Sequence, residues 1–167
     1  LQQSWSGMVD NHSERQDSHP LLHIYGVRKR SHHLPTGGAG SAIGLALLDE
    51  GIGDLGIYDI DPNRSDKLMN LLANNYDSVS VVKNTAPQGF DIIAHATPTG
   101  MKSVDPLPLD VDQLIHTMHV GDVVTEPAIP PLIKEARERG CRTNTGIEMF
   151  DGHRETVVDF LLHQDKR

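Results

Sequence analysis

The sequence predicts an α/β fold with a doubly wound, mainly parallel sheet, and three observations predict it. From residue 36 onward, short β-rich apolar runs alternate with helical patterns, the outline of strands joined by crossover helices. A glycine-rich stretch, Thr36-Gly37-Gly38-Ala39-Gly40-Ser41, opens the first of those helices. Asp59 ends the strand that follows, near the ~20-residue offset at which an acidic group meets an adenosine ribose in dinucleotide folds. The expectation is a Rossmann-like domain spanning 36–167 with a long C-terminal helix.

Residues 41–49 read as a helix whose buried stripe is Ile43, Leu45, Ala46, Leu47 and Leu48. Residues 55–60 read as a strand. Asp61 is a good N-cap and Pro62 suits the first helical position, so a second helix starts there. Its apolar face is Leu68, Met69, Leu71 and Leu72. Short strands follow at 79–82 and 91–96, then a short helix at 111–116 and a fifth apolar segment at 122–124. A helix over 131–139 closes on Gly140, and Cys141 leads into a further strand as a small buried residue rather than a nucleophile. A long last helix covers 147–162, and its apolar Val157, Val158, Phe160 and Leu161 favour self-association if left unpartnered.

Residues 1–35 differ from the rest. They are polar and irregular and hold five of the ten histidines (His12, His19, His23, His32, His33). Residues 28–35 are too polar for the buried strand that normally feeds a glycine loop, and Pro35 removes a backbone donor there. The first strand is therefore expected to be damaged or missing, with 21–27 as its alternative source through a longer loop. The segment reads as either disordered or an out-of-frame translation joined to a genuine domain.

Composition narrows the function. The 167 residues suit one domain, with 37% apolar but only 4% aromatic residues, so the core rests on aliphatic side chains. No apolar run approaches the ~20 residues of a membrane span, and the first residues lack the pattern of a secretory signal. One cysteine excludes an internal disulfide framework, and a net charge of −8 argues against a nucleic-acid surface. A cytoplasmic protein is expected. Adjacent His32 and His33 point apart on regular structure and lack supporting ligands, so no metal site is expected.

Glycines at the mouth of a helix let a pyrophosphate approach the free N–H groups and positive helix end, although such a turn also serves plain helix–strand packing. The Asp59 carboxylate suits the free 2′-hydroxyl of NAD and repels the 2′-phosphate of NADP. NAD is therefore favoured, with NADP the alternative that Arg64 would serve if it met a phosphate.

Several segments together carry a resemblance. Gly37-Gly38-Ala39-Gly40-Ser41-Ala42, Ala96-Thr97-Pro98-Thr99-Gly100-Met101, Asp105-Pro106-Leu107-Pro108 and Asp122-Val123-Val124 are followed by Pro130-Pro131-Leu132-Ile133, 136–141 and Gly146-Ile147-Glu148-Met149. In order and spacing these resemble the C-terminal nucleotide-binding domain of the shikimate/quinate dehydrogenase family. The resemblance implies hydride transfer between a ring alcohol and ketone of shikimate or quinate and a nicotinamide. It places Gly37, Gly38 and Ala39 at the pyrophosphate and Asp59 at the ribose. Thr97, Pro98, Thr99 and Met101 would lie beside the nicotinamide side of the cofactor, and Val124 and Gly146 would approach the nicotinamide through backbone groups. His153 stands where the family has a substrate-reaching glutamine, His95 where many members have Asn, and Thr125 where many have Tyr. Met149 reads as core rather than ligand contact.

The family's acid–base Lys and Asp belong to an N-terminal substrate domain with no counterpart in this sequence, and Lys29 sits in a solvated Arg28-Lys29-Arg30 run. The rival reading is thus a non-catalytic remnant or dinucleotide-binding module. A methylene-folate dehydrogenase is a third option, against which the 97–101 element weighs.

Overall fold

The computed structural model describes the backbone of 21–25 and residues 38–152. Among the described residues six strands form one sheet: β1 (Leu21–Tyr25), β2 (Asp54–Tyr58), β3 (Val79–Val81), β4 (Ile92–His95), β5 (His119–Asp122) and β6 (Arg142–Asn144). Their spatial order is β3-β2-β1-β4-β5-β6, and every pairing is parallel. This is the doubly wound order of dinucleotide-binding domains, which reverses direction between β1 and β4. Helices α1 (Gly38–Asp49), α2 (Pro62–Ala73) and α3 (Pro131–Glu138) make the crossovers, with a helical segment over 146–152 after β6.

The first strand is in place. Leu21–Tyr25 pairs with β2 on one side and β4 on the other, so the sheet's centre comes from the polar N-terminal segment and not from 28–35. The expectation of a damaged or missing first strand is corrected in favour of the longer connection, since 21–25 is the apolar run that can satisfy two flanking ladders.

Alternation along β4 divides the core. Ile92 and Ala94 pack with Ile43 and Leu47 of α1, Leu55 and Ile57 of β2, and Leu68 and Leu72 of α2. Ile93 faces the other layer, with Val120 of β5 and Leu132, Ile133 and Ala136 of α3. A strand buried on both faces needs the near-continuous apolar run seen here. The core is aliphatic, as the low aromatic content requires.

Several element boundaries depart from the sequence reading for local reasons. Helix α1 begins at Gly38, so most of the glycine stretch is the helix's first turn. Leu45 and Leu71 are exposed rather than buried. Strand β2 stops at Tyr58, because the Asp61 N–H turns back to Asp59 Oδ1 at 2.9 Å and leaves Ile60 in solvent. The short helix expected at 111–116 is a single 3₁₀ turn, Val111–Gln113, ended by the extended backbone of Leu114. The apolar segment 122–124 is mostly the exit from β5, because the Val124 N–H bonds the Asp122 side chain at 3.0 Å and breaks the ladder. Asp61 caps α2 as expected, accepting the Asn63 N–H with Pro62 at the first turn. Gly140 (φ 77) closes α3 in the left-handed conformation that favours glycine. Thr145 and Glu148 form a reciprocal capping box at the start of the segment over 146–152, with the Thr145 N–H donating to Glu148 at 2.7 Å and the Glu148 N–H to Thr145 at 3.2 Å. Of the expected last helix, 153–162 lie outside the described residues.

Candidate functional site

Parallel strands deliver their carboxyl ends to one edge of the sheet, and the reversal of strand order opens a crevice there. Asp59 follows β2, Thr97 follows β4 and Val124 follows β5, while the amino end of α1 brings Gly38 and Ala39 to the sequence position after β1. A cavity of about 470 Å³ lies at this edge, lined by Asp59, Thr85, His95, Thr97, Thr99 and Pro108 among others.

Asp59 is 8% exposed. Its Oδ1 is engaged by the Asp61 N–H, whereas Oδ2 is buried and has no hydrogen-bond partner among the described residues. A buried carboxylate oxygen without a donor costs free energy, which a ligand hydroxyl would recover. A Cβ built on Gly38 meets nothing within 4 Å among the described residues.

Thr97 Oγ1 lies 2.6 Å from His95 Nε2 and accepts the Thr99 N–H at 3.1 Å, which curls the loop after β4. The same loop is stiffened by Asp105, whose Oδ2 accepts the Gly100 and Lys102 N–H groups at 3.0 Å each. That leaves Thr97, Pro98 and Thr99 on the cavity of Asp59, while Met101 is half exposed and lines a neighbouring cavity of about 520 Å³ with Gly100, Lys102, Ile129 and Lys134. Val124 is buried, and Gly146 is pressed against it: a Cβ there would lie 2.5 Å from the Val123 and Val124 carbonyl oxygens. Met149 is partly buried and packs against the core cluster that includes Ile43, Leu55 and Ile92, as expected.

The predicted site residues thus fall into four groups: Gly38 and Ala39 in the first turn of α1; Asp59 with Thr97, Pro98 and Thr99; Met101 with the adjacent cavity; and Val124 against Gly146. Arg64 instead pairs with Asp61 in the first turn of α2, at 3.6 Å. Gly37 and His153 lie outside the described residues. Sequence reasoning missed the coupling of His95 to Asp122, whose Nδ1 and Oδ2 approach to 3.2 Å inside the core. The available signal was a polar residue ending each of two apolar strands, but only their register, His95 opposite Asp122, reveals that they meet.

Among the described residues no helix is long and apolar enough to cross a membrane. No group of three metal-ligating side chains assembles there either. Burial pushes the Cys141 thiol pKa up, against the opposing charge of Arg139, and its Sγ–H donates to the Ile115 carbonyl at 3.2 Å.

No family model matches the chain. It is 36% identical over 130 residues to the shikimate dehydrogenase (NADP(+)) of Arthrobacter sp. (strain FB24), which covers 74% of this chain and 42% of that protein. It is 35% identical over 119 residues to the quinate/shikimate dehydrogenase (NAD(+)) of Corynebacterium glutamicum (strain R), covering 68% and 42%. Among solved structures, quinate dehydrogenase from Corynebacterium glutamicum in complex with NAD superposes with a TM-score of 0.69 at 27% identity, over 89% of this chain and 52% of that one. The shikimate 5-dehydrogenase of Listeria monocytogenes, in complex with shikimate and NAD, shares the fold with a TM-score of 0.72 at 21% identity, over 98% and 58%. The chain spans about half the length of these relatives or less. The chain thus belongs to the shikimate/quinate dehydrogenase family, and its partial coverage of these relatives is consistent with their nucleotide-binding part.

Proposed function

We propose that this chain is the dinucleotide-holding part of an NAD(P)-dependent shikimate or quinate dehydrogenase, with NAD preferred. The observation that carries this reading is the buried Asp59 Oδ2, left without a donor among the described residues at the carboxyl end of β2. An adenosine ribose supplies the missing donor through a vicinal hydroxyl, and the carboxylate disfavours a 2′-phosphate in the same place. The N–H groups of Gly38 and Ala39, together with Gly37, meet the diphosphate at the positive end of the 12-residue α1. Thr97, Pro98, Thr99 and Met101 flank the nicotinamide half, and backbone groups of Val124 and Gly146 orient the ring. When bound, the nicotinamide accepts or returns the hydride of the ring alcohol. His153 contributes to holding the small-molecule substrate. Arg64, already paired with Asp61, supports NAD over NADP by leaving the ribose end without a free phosphate partner in the described geometry.

The resemblance assigns the acid–base Lys and Asp to a substrate domain outside these 167 residues, so these residues by themselves hold coenzyme without turning substrate over. Isothermal titration of the chain with NAD and with NADP separates the outcomes. The expected result is heat with NAD, weaker binding of NADP, and at least a roughly tenfold loss of NAD affinity in Asp59→Ala, the scale of a charge-assisted hydrogen bond. An absence of heat with both coenzymes, or an Asp59→Ala variant that binds NAD normally, overturns the reading. Shikimate-dependent formation of NAD(P)H by the chain alone would overturn its division of labour.

A further inference from the structure

Three polar side chains stand in series at the carboxyl ends of β4 and β5. His95 and Asp122 are register partners on adjacent strands, and both lie inside the core at 0% and 2% exposure. Asp122 divides its oxygens: Oδ1 accepts the Val124 N–H at 3.0 Å, and Oδ2 stands 3.2 Å from His95 Nδ1 in a close polar contact bent off the hydrogen-bond axis. His95 Nε2 faces Thr97 Oγ1 at 2.6 Å, and Thr97 reaches the cavity that Asp59 also lines.

An ionised carboxylate only accepts, and a lone pair on Nδ1 would repel it at that distance, so Asp122 holds the imidazole proton on Nδ1. In that tautomer Nε2 is an acceptor and takes the Thr97 O–H. Thr97 Oγ1 has one proton to give and two lone pairs. The proton goes to His95, one lone pair takes the Thr99 N–H, and the other is left for the cavity.

We propose that His95 and Asp122 are a positioning pair that locks the Thr97 hydroxyl as a hydrogen-bond acceptor toward the cavity, so that this edge of the site selects a ligand presenting a hydroxyl or amide donor. Asp59 Oδ2 is a second acceptor on the same cavity, and the two together fit a hydroxyl-rich or amide-bearing ligand better than an anionic one. The polarity of Thr97 follows from the chain's own residues; only the choice of NAD as the probe rests on the function proposed above.

Asp122→Asn tests the pair. Asparagine still accepts the Val124 N–H, but its amide now donates to Nδ1, which moves the ring proton to Nε2 and turns the Thr97 O–H outward. In ¹⁵N spectra of the full chain near neutral pH, His95 is expected to show a protonated Nδ1 and a bare Nε2, reversed in Asp122→Asn; the His95→Asn variant identifies its signals. A bare Nδ1 or a protonated Nε2 in the unsubstituted chain overturns the proposal. In titrations with NAD, Asp122→Asn and Thr97→Val should each weaken binding about tenfold, while Thr97→Ser stays within about threefold. The double variant should bind no more than about twofold more weakly than Thr97→Val, because both changes act on one hydrogen bond. Losses that multiply overturn the proposal. If Asp122→Asn does not fold, the ring proton in the unsubstituted chain and the Val/Ser contrast at Thr97 decide it. If the unsubstituted chain gives no heat with NAD, the dinucleotide reading fails, and the spectra alone decide the polarity of Thr97.

Discussion

Gly146 is the residue where backbone and site geometry are most tightly joined. A methyl group there would come within 2.5 Å of the Val123 and Val124 carbonyl oxygens just after β5, and backbone atoms cannot swing aside as a flexible side chain does. Gly146→Ala is therefore expected to lower stability by about 1–3 kcal/mol, read as a lower urea midpoint with an unchanged slope. Cys141 makes a second prediction at this scale. Desolvation raises its folded-state pKa, so at alkaline pH the unfolded chain gives up the thiol proton first and binds fewer protons than the folded one. Stability should fall as pH rises above the ordinary thiol range near ~8.5, and Cys141→Ala should remove that part of the decline. Urea unfolding of both proteins at about pH 7.5 and about pH 9.5 measures it; parallel pH profiles would contradict the assignment.

At the scale of elements, local signals fared best where a side chain serves its own backbone. The N-cap of α2 was legible because Asp61 and Pro62 need only each other and the next turn. Asp61→Ala should cost about 1 kcal/mol in chemical denaturation, and Asp61→Asn much less, since the amide oxygen also accepts the Asn63 N–H. The capping box of Thr145 and Glu148 obeys the same rule and could have been read from the T-x-x-E spacing. Strand ends were less legible. β5 reaches back to His119 and stops at Asp122, although Val123 and Val124 have the stronger strand preference, because pairing with β4 and the Asp122–Val124 bond outweigh that preference. The 111–116 pattern has too few residues to repay helix nucleation, and a single 3₁₀ turn is what remains.

For the whole molecule, β1 is the part on which the rest depends. It lies between β2 and β4, the strands whose ends carry Asp59 and Thr97. A chain beginning at residue 36 loses both central ladders and leaves the inner edges of β2 and β4 unpaired. Such a truncation is expected to abolish the cooperative thermal transition seen by circular dichroism. A folded truncation from 36 would show that the sheet closes without β1.

What the sequence alone determined was the alternation of apolar strands and helices, the glycine-led α1, the capped α2, the acidic end of β2 and the family to which the chain belongs, because each is written in neighbouring residues or in motifs of fixed spacing. Only the tertiary structure decided that 21–25 supplies the central strand and that Arg64 is occupied by Asp61. It also decided that His95 and Asp122 meet beneath Thr97. Those facts depend on register between strands far apart in the chain, and a change of one residue in register would turn every side chain to the opposite face of the sheet.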